Sequence, residues 1–559
     1  MKKVFSLVLA MLMLCTLFTA CNNSGNSAAT PSPSVVESPV APSVAPQEEI
    51  DLSLPIVTDG SITLEWWVSV APEVAAVTSD FADGKNYSWT ELMKRTGINL
   101  NFVMPSWATE KEQFNLMINS GDYPDIANTN NSAYAGGADK AVEDEVWLRL
   151  NELAEKYAPN YLALVNANEG NVKNNLTDSG NMIFFCQIYD RNQPTFAGYG
   201  IRQNWLDDLG LERPITYDDW HKTLTAFKDE KTGGKAPLDM AATGFAGMNW
   251  FTGGFGVSTS TDGYAIQKDG VVSSSIISDG YREYLELMSS WYKEGLLDPD
   301  FVSGTGYYAM GFGPDGARMG NDITGACAML YSFSGTFLAD SGQAKPGTVM
   351  TLCPLPRKNA NEDPKITGKG KFSTNMAGGS GAVIFATCEY PAEATRMIDY
   401  LYSPEGALLA NYGVEGITFN YDDAGKPKRS DLIMKNPDGL NPNIAQQVYM
   451  MHTGPLLFML DRDEETMTDY GREYYDLWNI AGEWNISGNL TYTAEEGERI
   501  ATLATDIKTY VEEFNCKVIT GTQELTDDSW NAFVAQVKSM GIDELISIIQ
   551  GAYDRYIAR

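Results

Sequence analysis

Few of the side chains that commonly perform catalysis stand in a recognisable pattern in this sequence. The only histidines, His221 and His452, are far apart along the chain, so an imidazole cluster that holds zinc is excluded. There is no Walker A phosphate loop and no GxSxG nucleophile elbow. A GxGxxG string at residues 311–316 follows no clear strand, and its Pro-Asp pair suits a turn. The sequence therefore predicts no metal and no cofactor.

Carboxylates are the remaining candidates for chemistry. A glycosidase needs two of them at a suitable separation, but the chain has 73 acidic residues, so some pair would meet that condition by chance. No carboxylate motif lies on a pattern of eight barrel strands. A secreted glycan-active hydrolase therefore stays as an alternative, and a non-catalytic binding protein is favoured.

Composition limits the class of protein further. The chain has 559 residues and a formal net charge of -33, which repels phosphate backbones and excludes nucleic acid as a partner. Its hydrophobic content of 43% is typical of a folded protein. At this length we expect two or more compact units.

The N-terminus has the features of an export signal. Lys2 and Lys3 precede an uncharged apolar run at residues 4–18 that is too short to span a bilayer comfortably. The segment from Leu17 to Cys21 resembles the bacterial lipobox, which implies a signal peptide at residues 1–20 and a lipid on Cys21. An ordinary signal peptide cut nearby is the alternative. Residues 21–55, rich in Ser, Pro and Ala, predict a flexible tether.

The other cysteines do not form a disulfide framework. Five remain once Cys15 and Cys21 are set aside, and they are scattered over a large body. We therefore expect buried free thiols.

Strand and helix patterns alternate along the body. Apolar residues alternate from Ile62 to Val70 and again at residues 98–102, and a helical pattern lies between them. Two pairs of residues have capping-box spacing and predict helix starts: Thr109 with Glu112, and Thr216 with Asp219. Long helical stripes follow at residues 494–514 and after Thr526. The alternation predicts α/β units with a parallel sheet, followed by a helical C-terminal region.

Several segments, taken in order, resemble extracellular solute-binding protein family 1, the sugar-binding lipoproteins of bacterial ABC importers. The segments that carry the resemblance are Arg95-Thr96-Gly97-Ile98, Asn119-Ser120-Gly121-Asp122-Tyr123-Pro124-Asp125-Ile126, Tyr199-Gly200-Ile201-Arg202, Asn204 to Leu211, Lys293 to Phe301, and Tyr412-Gly413-Val414-Glu415-Gly416.

The resemblance implies an α/β, two-lobed type 2 periplasmic-binding-protein fold with a hinge. By analogy, lobe one covers residues 56–190 and 357–412, and lobe two covers residues 191–356 and 413–559. Relatives that bind large polysaccharides often have a calcium loop after the helix that opens at Thr216, here at Lys228 to Pro237. Here lysines replace its alternating oxygen ligands, so we expect no calcium at that loop.

Candidate ligand contacts follow from the chemistry of a sugar, which offers a flat face to an aromatic ring and hydroxyl groups to polar side chains. On lobe one, strand alternation predicts that one ring of the pair Trp66 and Trp67 points away from the core, with packing of both as the alternative. Thr129, Asn130 and Asn131 follow a predicted strand, where related sugar binders have polar contacts.

On lobe two, the resemblance implies aromatic contacts from four residues: Trp250, Phe251, Tyr331 and Phe333. Trp250 lies among glycines, as a loop residue does, which favours ligand contact over packing. Tyr412 and Glu415 are predicted near the last hinge crossing.

The resemblance thus implies a lipid-anchored receptor on the extracellular face of the cell membrane. We expect a monomer that captures a saccharide in the cleft between its lobes and delivers it to ABC transporter permease subunits. No catalysis is expected. A sensory or adhesive lipoprotein with the same fold is a further alternative.

Overall fold

A computed structural model describes residues 52–240, 249–259, 263–303, 317–340, 342–370, 375–465, 467–486 and 489–559. Cys21, the signal segment and most of the tether lie outside the described residues. The compact unit that contains the folded body runs from Ile50 to Arg559.

The strands are β1 (Thr63–Trp67), β2 (Asn99–Val103), β3 (Ile126–Asn130), β4 (Ile188–Tyr189), β5 (Ala197–Arg202), β6 (Leu238–Asp239), β7 (Ala265–Lys268), β8 (Val271–Ser274), β9 (Ala326–Leu330), β10 (Met350–Leu352), β11 (Ser380–Ile384), β12 (Phe419–Tyr421), β13 (Pro427–Arg429) and β14 (Leu457–Phe458).

The helices are α1 (Pro72–Ala75), α2 (Tyr87–Thr96), α3 (Glu110–Ser120), α4 (Gly137–Glu143), α5 (Asn151–Tyr157), α6 (Pro159–Asn166), α7 (Glu169–Asn175), α8 (Gln203–Leu209), α9 (Tyr217–Glu230), α10 (Asn249–Thr252), α11 (Asp279–Lys293), α12 (Ala317–Gly320), α13 (Phe337–Asp340), α14 (Pro391–Tyr400), α15 (Pro404–Tyr412), α16 (Asp431–Met434), α17 (Pro442–Tyr449), α18 (Asp461–Glu464), α19 (Asp469–Arg472), α20 (Tyr474–Leu477), α21 (Ala494–Ile519), α22 (Asp527–Ser539) and α23 (Ile542–Ala558). Short 3-10 helices lie at Gly253–Phe255, Ser275–Ile277, Phe301–Ser303 and Tyr331–Phe333.

The first sheet has the strand order β11-β3-β1-β2. Strand β1 pairs in parallel with β2 and with β3, and β11 runs antiparallel to β3. The Asn86 side chain caps the start of α2, and Gly97 ends that helix in the left-handed conformation that glycine adopts at least cost. The predicted strand-helix-strand alternation is confirmed in this part of the chain.

The second sheet has the order β10-β5-β9-β6. Strand β6 is parallel to β9, whereas β5 runs antiparallel to both β9 and β10. The prediction of a parallel sheet is therefore wrong here, because neighbouring strands in this sheet run in both directions. At the start of α9, Thr216 and Asp219 form the predicted capping box, but Thr109 gives no side-chain cap at the start of α3.

Two separate hydrophobic cores divide the folded body into two lobes. The first core runs from Ile62 to Ile188 and from Met376 to Leu460, and the second from Ala197 to Leu355 and from Met467 to Tyr553. Among the described residues, the chain therefore passes between the cores three times. The C-terminal helices α21, α22 and α23 pack on the second core.

The last of these crossings differs from the sequence-based boundary at residues 412 and 413. Helix α17 and strand β14 pack in the first core, because Tyr449 stacks on Tyr87 and the Asn86 amide donates to the Met450 carbonyl at 2.9 Å. The chain leaves the first core only after Leu460.

The five described cysteines are free thiols, as predicted. Four are buried and Cys516 is half-buried; the buried ones are Cys186, Cys327, Cys353 and Cys388. In the part of the chain that the structure describes, no helix has the length and apolar character needed to cross a membrane.

Candidate ligand-binding site

The carboxyl ends of β1, β2 and β3 meet at one edge of the first sheet, because these strands are parallel. Ligands of open α/β sheets bind beyond such an edge. We call it the carboxyl edge: the segment after β1 (residues 68–71), the segment after β2 (residues 104–109), and Thr129 to Asn131 at the end of β3.

An exposed tryptophan lies on the carboxyl edge. The segments after β1 and β2 run side by side, with the Val70 amide donating to the Pro105 carbonyl at 2.9 Å and the Trp107 amide donating to the Val70 carbonyl at 3.0 Å. These bonds fix the backbone of Trp107, while 49% of the residue stays exposed. Trp107 therefore offers an aromatic surface that folding does not use.

The three polar residues predicted on lobe one lie on the same edge. Asn130 is exposed, and its Oδ1 accepts from the Ser132 amide at 3.0 Å. The Asn131 Nδ2 donates to Asn489 Oδ1 at 2.9 Å, and the buried Asn131 Oδ1 has no hydrogen-bond partner within the described residues. Thr129 is half-buried. One strand, β1, separates this group from the Trp107 segment, so the two lie about 10 Å apart, or two strand spacings.

Trp66 and Trp67 do not contribute to this surface. Trp66 is fully buried, packs edge-on against Trp89 of α2 and donates to Asn128 Oδ1 at 3.1 Å. Trp67 is 5% exposed and packs against Phe114 of α3. Strand alternation does place the rings on opposite faces, but helices cover both faces, so the expectation that one ring faces away from the core is wrong.

Phe251 on lobe two is also a core residue. Its ring is fully buried and lies edge-on to Tyr199 at 4.4 Å and to Trp220 at 5.0 Å between ring centroids. Phe251 therefore has no free ring face for a ligand in this conformation. The backbone of Trp250 lies on α10, and its side chain is outside the described part of the chain, so its role stays a prediction.

Tyr331 and Phe333 lie on the 3-10 helix that follows β9. Tyr331 is 8% exposed, stacks on Tyr474 at 4.2 Å and donates from its hydroxyl to Asp463 Oδ2 at 3.2 Å. Burial holds the pKa of this hydroxyl well above its ordinary value. Phe333 is half-buried against Phe337. Tyr331 thus links β9 to the last crossing, and its ring faces are largely covered.

Tyr412 and Glu415 lie elsewhere. The Tyr412 ring packs against Phe419 and lines a cavity. The other walls of this cavity come from β13, α16, α18 and α19, and none of these elements belongs to the carboxyl edge. Glu415 is exposed beside the β12–β13 hairpin. The structure therefore brings Thr129, Asn130 and Asn131 together and leaves Tyr412 and Glu415 apart from them.

Polar contacts between the lobes lie next to Asn131. The Asp178 carboxylate of lobe one accepts from Arg555 Nε at 2.6 Å and from Arg559 Nε at 3.0 Å, both on the C-terminal segment of lobe two. The Asn489 amide donates to Asn174 Oδ1 at 3.0 Å. We call this set of contacts the interlobe clasp. It holds the two lobes in the arrangement seen here.

His452 is poorly suited to acid–base chemistry. Burial lowers its pKa to about 3, and the positive charges of Arg462 and Arg429 act in the same direction. The ring is therefore neutral near pH 7, where a residue with so low a pKa is a weak general base. No cluster of three or more His, Cys, Asp or Glu side chains suited to a metal ion occurs within the described ranges.

Trp107 is the feature that the sequence analysis missed. A signal was present, because Pro105-Ser106-Trp107 comes directly after a predicted strand and fits no apolar helix stripe. Because ligands of open α/β sheets bind beyond the carboxyl ends of strands, the end of the second predicted strand was as suitable a position for a ligand contact as the ends of the other two.

Two α/β lobes with separate cores and three crossings define the class as a two-lobed binding protein. Residues 76–408 match the family model described as bacterial extracellular solute-binding protein. That match covers more than half of the chain, and the protein belongs to this family.

Relatives agree with this assignment. The chain is 23% identical over 512 residues to the fructooligosaccharide ABC transporter substrate-binding protein FusA of Streptococcus pneumoniae serotype 4, covering 84% of this chain and 86% of that protein. It is 28% identical over 228 residues to lipoprotein LipO of Bacillus subtilis, covering 39% and 42% of the two chains. The crystal structure of the alginate-binding protein AlgQ2 without calcium ion is similar in fold, with a TM-score of 0.67, 22% identity and coverage of 90% and 100%.

Proposed function

We propose that this protein is an extracellular lipoprotein that captures a carbohydrate, an oligosaccharide in particular, between its lobes and delivers it to an ABC transporter permease. The observation that carries the proposal is the exposed Trp107 on the carboxyl edge, about 10 Å across the sheet from the exposed Asn130. The names of FusA and of the alginate-binding protein support the same class of ligand.

The chemistry of the carboxyl edge suits a neutral sugar. An indole ring packs on the flat C–H face of a pyranose, and amide groups both donate to and accept from hydroxyls. The spacing of about 10 Å between the Trp107 segment and Asn130 suits an occupant longer than one sugar ring. Asn130 is exposed, so its side-chain amide is available to a sugar hydroxyl.

Capture follows from a shift between open and closed arrangements of the lobes. A saccharide held by lobe one gains contacts from lobe two only in the closed form, so binding favours closure. No chemical step is required. The protein acts as a monomer in this proposal, and the lobes, divided near residues 190, 356 and 460, move about the three crossings.

A lipid on Cys21 would hold the body outside the cell membrane through the tether at residues 21–55. Replacing Cys21 with Ser removes the acylated sulfur, so we expect the variant to appear in the culture medium while the wild-type protein sediments with membranes. A Cys15→Ser variant is the matched control. Release of the wild-type chain, or retention of the Cys21→Ser variant, would contradict the lipid anchor.

The ligand class is tested by calorimetry with a panel of oligosaccharides and a matched panel of oligopeptides, followed by chromatography of the recovered ligand. The proposal expects one oligosaccharide class to bind and to be recovered intact. Cleaved sugar would establish a hydrolase, and binding of peptides alone would refute the carbohydrate assignment.

A further inference from the structure

The first crossing leaves lobe one at the carboxyl edge of the first sheet. The chain up to β4 runs beside β11, and the bridges of Phe185 with Ala382 and of Ile188 with Met376 are antiparallel. Strand β11 starts opposite the end of β3 and is antiparallel to it. The chain therefore runs towards the carboxyl edge as it leaves the lobe.

The same crossing enters lobe two at the corresponding edge of the second sheet. Only residues 190–196 separate β4 from β5. Ala197, the first residue of β5, pairs with Leu330, the last residue of β9, and β9 is parallel to β6. We call this edge the second edge: residues 195–196 before β5 and residues 331–333 after β9. Because so short a segment joins the second edge to the carboxyl edge, both border the same region between the lobes.

Phe196 is an exposed aromatic residue on the second edge, with 40% of its surface accessible. Its carbonyl accepts from the Tyr331 amide at 3.1 Å. The residue before it packs against the second crossing, because a Cβ at Gly368 would lie 2.5 Å from Thr195 Cγ2. These contacts hold the backbone of Phe196 on both sides. Phe196 therefore offers an apolar ring from a fixed position, as Trp107 does on the first sheet.

The other described aromatic residues of the second edge offer less surface. Tyr331 is 8% exposed, and Phe333 is half-buried. Among the aromatic residues that the structure describes on this edge, Phe196 thus has the largest exposed fraction. A ligand between the lobes would cover more aromatic surface there than at either neighbour.

Phe196 lies at the inner end of the region between the lobes, next to the first crossing. On the opposite side of that region, the strand order is β11-β3-β1-β2, and β11 lies beside the crossing. Asn130 ends β3, one strand from β11, whereas Trp107 follows β2, three strand spacings or about 14 Å from β11. An occupant that touches Phe196 and Trp107 together is therefore longer than one sugar ring.

We propose that Phe196 contacts the inner sugar ring of the bound oligosaccharide and is a specificity-determining residue for that ring. The inference rests on the proposed function and deepens it. A phenyl ring has no hydrogen-bonding group, so it favours an apolar C–H face and disfavours a hydroxyl that would lose its partner against it. Phe196 therefore selects an inner ring with an apolar face, whose hydroxyls point towards Asn130, while Trp107 contacts an outer ring.

The test is calorimetry of the full chain with the maltose, cellobiose and inulin-type oligosaccharide series, from their shortest members upwards. About 80 Å² of the roughly 200 Å² of a phenylalanine is accessible, and coverage of half of it corresponds to about fivefold in Kd. Phe196→Ala should therefore raise Kd about fivefold. Phe196→Leu keeps apolar bulk against the fold but has no flat ring, so its Kd should lie between those of Phe196→Ala and the wild type. The fitted stoichiometry reports the folded fraction, which separates affinity from folding.

Tyr421→Ala is the matched control, because Tyr421 is 45% exposed on β12, in a hairpin outside both main sheets. Its removal should leave Kd unchanged. Binding by both Phe196 variants as tight as by the wild type, or equal weakening by Tyr421→Ala, overturns this inference and leaves the proposed function intact. A loss confined to the longest oligosaccharides contradicts the inner position. If the wild type binds none of the series, the proposed function fails, and this inference fails with it.

Discussion

Removing the exposed ring of Trp107 should weaken oligosaccharide binding by about tenfold or more. The residue is 49% exposed, so of the roughly 250 Å² that a tryptophan can bury, about 120 Å² is available to a ligand. At roughly 25 cal/mol per Å², full coverage would contribute about 3 kcal/mol, and coverage of one ring face about half of that. A loss of about 1.5 kcal/mol corresponds to about a tenfold rise in Kd.

The assay is calorimetry of Trp107→Ala and Trp107→Phe with the best ligand of the oligosaccharide panel. The Phe variant keeps a smaller flat ring, so its affinity should lie between those of Trp107→Ala and the wild type. The backbone bond from the residue 107 amide to the Val70 carbonyl survives both changes. The covered half of the side chain is about 130 Å², so at roughly 25 cal/mol per Å² we expect Trp107→Ala to lower the free energy of unfolding by up to about 3 kcal/mol and Trp107→Phe by less.

Tyr390→Ala is the matched control. Tyr390 is 37% exposed and follows β11, which runs antiparallel to β3, so it lies at the opposite edge of the first sheet. Its removal should leave affinity unchanged. Unaltered binding by Trp107→Ala, or equal weakening by Tyr390→Ala, would refute the assignment of the carboxyl edge as the ligand site.

Three further predictions concern lobe two, the interlobe clasp and pH. Trp250→Ala should weaken oligosaccharide binding by about tenfold in calorimetry, and an unchanged Kd would remove Trp250 from the site. Asp178→Asn removes the charge that Arg555 and Arg559 share, and it should lower the free energy of unfolding, measured in urea, by about 1–3 kcal/mol. The control Asp469→Asn changes a fully exposed side chain and should alter the free energy of unfolding by less than about 0.5 kcal/mol. Equal effects of the two variants would contradict a stabilising clasp. Burial raises the pKa of Asp399 to about 6, so between about pH 7.5 and about pH 5 the folded chain binds more protons than the unfolded chain. This carboxyl should therefore add about 1 kcal/mol to the free energy of unfolding as the pH falls from about 7.5 to about 5. Asp399→Asn should lose that part of the increase, and an identical pH dependence in the variant would contradict the raised pKa of Asp399.

Much of the fold could be predicted from the sequence, because local signals agreed with one another over long stretches. Alternating apolar residues marked β1 and β2, the capping pair at Thr216 predicted the start of α9, and the ordered family segments predicted the two lobes. The third crossing could not be placed, since its position depends on packing between α17 and the start of α2, which no local pattern records.

The candidate site was harder to predict than the fold. Alternation along β1 gave the correct opposite faces for Trp66 and Trp67, but whether a face is covered depends on helices that come later in the chain. Phe251 illustrates the same limit, because a short segment flanked by glycines turned out to bury its ring among Tyr199 and Trp220. The residues at the end of β3 lie at the carboxyl edge, because parallel strands place their carboxyl ends together whatever packs around them, and their contact with a ligand stays a prediction.

A crystal structure of the protein with its oligosaccharide tests the account most directly. The account predicts an unbroken saccharide between the lobes, with one sugar ring stacked on Trp107 and a hydroxyl within hydrogen-bond distance of Asn130. A saccharide bound outside the region between the lobes, or a cleaved one, would contradict it.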